Sequence, residues 1–353
     1  MQGINIGSPN IFHGSGIFKV IYGLLVSPLL TLIISFGFYL IIYKCSVKNS
    51  QATKLGNKIT YSLCVFLMMM AITFTFASMY EIPEVEGFLM NKKLFGLILG
   101  VLVGFFTSLL YFFFLLPQLL KMKGDLRISF AVFSKKKENP PAGKGNSTEI
   151  IEMMEDRDSK QPAAEISVEE SDEIKRIFRP LQVLAACFGA LSHGSNDVGN
   201  CIGPLVTIWH IYKSPIDYST DTPVYGVLFW GGLGIALGLI CFGERVIVTM
   251  GSKISRVTPS LGFTVVMTAS IVVMVCSIAG IPTSTTHCQV MGVVGAGVAR
   301  GLIDTGNIRD GLSTIDFKLI GSIAMSWIVT IPFSLVLSTI LYAAVRVVVI
   351  GPF

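Results

Sequence analysis

Val20–Tyr43 and Leu94–Leu120 contain no charged residue, and Leu319–Ile350 contains only Arg346. A helix needs ~20 consecutive apolar residues to cross a hydrocarbon core of about 30 Å, and each stretch is long enough. Only 14% of the 353 residues are charged, whereas a water-facing domain carries about a quarter. The fold class implied is an all-α integral membrane protein, a multi-pass helix bundle set in the lipid bilayer. The formal charge of +5 does not point to nucleic acid, because the basic residues lie in the loops between spans. Seven cysteines lie in or beside apolar runs with no CxxC pair. They suit small apolar packing better than a zinc site or a disulfide framework.

Three spans open the chain, at about 16–43, 59–80 and 94–120. The first loop between them holds Lys44, Lys48, Lys54 and Lys58 and no acid; the second holds Glu81, Glu84 and Glu86; the third begins with Lys121, Lys123 and Arg127. Positive charge favours the cytoplasmic side, so the loops alternate in, out, in, and the N-terminus falls outside. Residues 1–15 lack the features of a secretory signal, which suggests a shortened version of a longer protein. Residues 121–180, rich in Lys, Glu, Asp, Ser and Pro, are expected to form a disordered cytoplasmic loop. This divides the chain into an N-terminal membrane segment (1–120), that loop, and a C-terminal membrane repeat (181–353).

In the C-terminal segment two polar clusters interrupt apolar runs, and such interruptions point to a transporter's binding site. The first, Ser192–Asn200, gathers Asn196, Asp197 and Asn200 with Gly194 and Gly199. A carboxylate near mid-membrane costs about 2.5–3.5 kcal/mol, and a bound cation is the simplest compensation. Sodium takes oxygen ligands, which Asp, Asn and unwound carbonyls supply; the competing reading is an ordinary turn or cap at the membrane surface. The second cluster, Gly280–His287, sets Thr283, Ser284, Thr285 and Thr286 just after Pro282. Pro ends a helix, and Ser or Thr then caps a new one whose N–H groups attract an anion; plain capping is again the alternative. Broken helices or re-entrant hairpins are therefore expected around 192–200 and 280–290. His193 and His287 adjoin the clusters, as hydrogen-bonded structural residues or as proton sensors. Trp209, Trp230 and Trp327, near segment ends, fit an interfacial aromatic belt.

Gly194-Ser195-Asn196-Asp197-Val198-Gly199-Asn200-Cys201-Ile202-Gly203-Pro204 resembles the GxNDVxNxxGP signature of the inorganic phosphate transporter family (PiT), and Pro282-Thr283-Ser284-Thr285-Thr286-His287 resembles its PxSTTH signature. The linking segments Arg245–Gly251 and Thr258–Thr264 fit the same order, so the resemblance covers roughly 181–350; Lys19–Leu30 is similar to the stretch that follows a first STTH element. The resemblance implies an inverted-repeat transporter in the plasma membrane that moves inorganic phosphate with sodium. Asn196, Asp197 and Asn200 would then lie on the sodium side, and Ser284, Thr285 and Thr286 on the phosphate side. Beyond sodium and phosphate themselves, neither a cofactor nor a metal is implied, and no catalytic residue is assigned. A membrane enzyme would need a nucleophile with a base in reach, and the candidates here all sit in the transporter signatures. The chain departs from the family pattern in having one ND and one STTH element, and in having Val266 where animal members carry a glutamate. A homodimer would complete the site; a non-transporting truncated or regulatory homologue is the alternative.

Overall fold

The computed structural model describes residues 17–47, 55–79, 92–121, 170–213, 224–253, 258–313, 315 and 317–349. All the regular structure among them is helical. In order, α1 (Ile17–Ile42) ends in a π-helical turn at Tyr43–Val47, α2 is Leu55–Met79, and α3 (Lys92–Leu110) continues through a second π-helical turn into α4 (Leu116–Lys121). There follow α5 (Asp172–Lys213), α6 (Val224–Lys253), α7 (Pro259–Ile278), α8 (Thr285–Thr305), α9 (Ile308–Ser313) and α10 (Phe317–Val349). Six of these segments are long and apolar enough to cross a membrane: Val20–Ser46, Asn57–Ser78, Leu94–Lys121, Tyr225–Gly243, Pro259–Ile278 and Ile320–Val348. The protein is a multi-pass membrane protein.

The centre of the bundle is α1, α5, α7 and α8. Helix α7 is the most enclosed of the six spans and α10 the least. Helices α1 and α8 lie in close parallel contact: the Ser35 hydroxyl donates to the Gly292 carbonyl at 2.8 Å. A Cβ on Gly295 would stand 2.3 Å from the Leu32 carbonyl oxygen, so only glycine permits this approach. Helices α5 and α7 are likewise parallel, with Ser192 donating to the Ser270 carbonyl at 3.1 Å. Beside them α2 and α3 form a hairpin sealed at Gly100 and Gly104, where a Cβ would meet a backbone oxygen of α2 at 2.8 Å in each case.

At one end of the bundle, buried polar side chains tie these helices together. Tyr43 donates to Asp304 at 2.7 Å, and Asp304 also faces Arg300 at 3.9 Å. Ser260 donates to the buried Glu170 and lies 3.4 Å from the Tyr39 hydroxyl. Glu170 thus anchors the approach to α5 on the first turn of α7.

Two expectations are corrected. Residues 192–200 are not a break: α5 continues through them as helix, carrying Pro180 and Pro204 within it. Unwinding there would strip backbone hydrogen bonds in a medium with no water to replace them, whereas a helical glycine costs only about 1 kcal/mol. The expected loop 121–180 is also too long at its far end, because α5 begins at Asp172 and buries Ile174, Ile177 and Phe178 completely. Lys121 belongs to α4, and residues 122–169 lie outside the described residues.

Candidate functional site

The second polar cluster does break the chain. Helix α7 closes with Gly280 at φ 64°, where the Gly280 and Ile281 N–H groups bond back to the Ser277 and Cys276 carbonyls at 2.9 and 2.8 Å. That pair of bonds is a Schellman closure, and it selects glycine for the left-handed position. After Pro282 the chain is extended at Ser284, which caps α8 by accepting from the His287 N–H at 3.4 Å and also bonds the His287 ring. The His287 ring stacks on Trp327 of α10, with centroids 3.5 Å apart. Trp327 was expected in an interfacial belt; it packs on the capped turn of α8 instead. Helix α1 presses on the break from another side. A Cβ on Gly23 would fall 2.1 Å from the Pro282 carbonyl oxygen, and Cys288 lies 3.6 Å from the Ser27 hydroxyl.

The continuous helix α5 delivers its polar face onto this break. Asn196, only 4% exposed, donates through Nδ2 to the Thr283 carbonyl at 2.9 Å and to Asp197 Oδ1 at 3.1 Å. Its Oδ1 accepts from the Ser277 and Thr283 hydroxyls, both at 3.2 Å. Asn200, one turn on, donates to the same Thr283 carbonyl at 3.1 Å. His193 Nδ1 lies 2.8 Å from Thr285 Oγ1 and 3.3 Å from Asp197 Oδ2. The two sequence clusters therefore meet in one place. Thr283 is the joint between them, and its flanking prolyl and hydroxyl residues marked the break but not this role.

The expected sodium-side residues differ in how far they are committed. Asn196 has two donor hydrogens and two acceptor lone pairs, and all are used within the protein. Asp197 is about one-third exposed and has a partner on each oxygen, and Asn200 is exposed. Of the expected phosphate-side residues, Thr285 is buried against His193, Ser284 is partly buried as the cap, and Thr286 is exposed. Asp197 is the sole acid, and no Lys or Arg occurs, within residues 181–212 and 259–299. Val266 packs between α5 and α7, 3.0 Å from where a Cβ on Gly189 would sit.

Comparisons with known proteins identify the family. The model of the phosphate transporter family matches residues 1–338. The chain belongs to the phosphate transporter family. It is similar to sodium-dependent phosphate transporter 1-B of Danio rerio, 38% identical over 214 residues, which are 60% of this chain and 30% of that protein. It is similar to sodium-dependent phosphate transporter 2 of Homo sapiens, 41% identical over 184 residues, 51% of this chain and 26% of that one. A solved structure described as the sodium-dependent phosphate transporter superposes with a TM-score of 0.57 at 25% identity, covering 89% of this chain and 62% of the other. The chain thus spans between a quarter and a third of the length of these curated relatives.

Proposed function

We propose that this chain is a sodium-dependent phosphate transporter whose α5 face and α7–α8 break form one cation-and-anion site. The observation that carries the reading is the direct linkage of Asp197, through Asn196, to the break before the first turn of α8. The N–H groups and hydroxyls of that turn suit a phosphate oxygen. No lysine or arginine of the flanking segments offsets its charge, and Asp197 adds a negative one. Phosphate in that setting is unfavourable until a cation joins it, which is the physical content of sodium coupling. Sodium would lie against the Asp197 carboxylate and the Asn200 amide oxygen, with Asn196 holding the geometry. Phosphate would meet Ser284, Thr285 and Thr286.

The chain would reside in the plasma membrane, with the loop after Lys121 cytoplasmic and a second copy supplying the other half of the site. Curated relatives named as sodium-dependent phosphate transporters support the substrate assignment. One observation favours a non-transporting homologue instead: Val266 is an apolar packing residue where the family resemblance expects a glutamate.

Uptake of labelled phosphate into liposomes carrying this chain, in sodium and then in choline, separates the two readings. Transport predicts uptake in sodium only, reduced to the choline level by Asp197→Asn. Uptake no greater than in empty liposomes, with the protein present in the bilayer, contradicts transport and supports the non-transporting homologue.

A further inference from the structure

A cavity of about 440 Å³ lies where the α2–α3 hairpin meets α1, α5 and α7. Its floor is Phe188 of α5 with Met267 and Met274 of α7, all buried. Its mouth is Ile34 of α1, Leu97 of α3 and Val275 of α7, each 42% to 52% exposed. All but Phe188 belong to membrane-crossing segments, so the mouth opens sideways into lipid rather than toward water.

Size and chemistry restrict the occupant. Apolar cavities stay dry, and one of about 150 Å³ takes a benzene ring; on that scale this crevice has room for roughly eighteen carbons. A whole helix is far larger: on that same scale the crevice takes about eighteen heavy atoms, whereas three turns of helix carry roughly eighty. Left empty, its walls would forgo their van der Waals partners. The surrounding solvent is hydrocarbon chain, and the methionine floor adapts to a flexible occupant.

We propose that the crevice binds one hydrocarbon tail of a membrane phospholipid. The tail is placed to brace the α5–α7 contact that carries the candidate site. Phe188 lies one turn before Ser192, and Met274 lies one turn before Ser277, whose hydroxyl donates to Asn196. The inference is independent of transport activity, because it concerns retention of a lipid.

The full chain, purified in detergent and stripped of loosely held lipid, is expected to keep about one phospholipid per chain by lipid mass spectrometry. Ala71→Phe, which fills the crevice from α2, should lose it, whereas Leu337→Phe on the open face of α10 should not. In Met70→Trp with Trp209, Trp230 and Trp327 replaced by Phe, a phospholipid brominated mid-chain should quench the single remaining tryptophan, and should quench it far less when Ala71→Phe is added. That second readout keeps the test decisive if Ala71→Phe alone is poorly stable. Equal phospholipid retention in all variants, quenching unaffected by Ala71→Phe, or a sterol displacing the phospholipid would overturn the proposal.

Discussion

Asn196 spends every hydrogen-bonding position inside the protein, on Thr283, Ser277 and Asp197. Its neighbours depend on it in turn. Replacing it by alanine leaves two hydroxyls and weakens the hold on a carbonyl, in a place where each unsatisfied buried group costs about 1–3 kcal/mol. Asn196→Ala is therefore expected to lower the melting temperature of the purified chain markedly, while Thr286→Ala, at an exposed hydroxyl, leaves it nearly unchanged. Equal melting temperatures for the two would contradict the bridging role. The residue types of this site are legible in the sequence, which sets Asn196 beside Asp197 on the sodium side without its bridging role. What separates the two is a partner 87 positions away, which no local pattern encodes.

At the scale of elements, the α7–α8 break and the passage of α1 beside it are both set by glycine. Gly280 takes φ 64°, and a side chain in that region costs about 1–2 kcal/mol. Gly23 admits the Pro282 carbonyl to within 2.1 Å of where its Cβ would be. Gly280→Ala should cost about 1–2 kcal/mol in thermal or denaturant unfolding. Gly23→Ala should cost more, because the obstructing atom is backbone and cannot rotate away. The reverse order would indicate that α1 does not press on the break. The second break was legible because Gly280 and Pro282 act on their own backbone. The first was misread because Gly194 and Gly199 have no close neighbour and simply remain helical. The polar residues there point across to another helix instead of forming a turn.

For the whole molecule, the spans were legible because hydropathy is a one-dimensional signal and the bilayer is a uniform solvent. The parallel pairing of α1 with α8 and of α5 with α7 was not, since it rests on small-residue contacts such as Gly295 to Leu32. Loop charge supplies the orientation. In a cysteine-free background, Glu84→Cys should react with an impermeant thiol reagent added to intact cells, and Lys48→Cys should react only after permeabilisation. The opposite pattern would invert the molecule in the membrane.

The central claim, that one cation-bearing carboxylate and one capped helix start act as a single site, is tested most directly by equilibrium phosphate binding to the purified chain. Titration in sodium and in choline, on the unaltered chain and on Asp197→Asn, gives the comparison. The account predicts phosphate affinity at least tenfold higher in sodium, about 1.4 kcal/mol of coupling, with that difference lost in Asp197→Asn. Equal phosphate affinity in the two salts, or no binding in either, would contradict it.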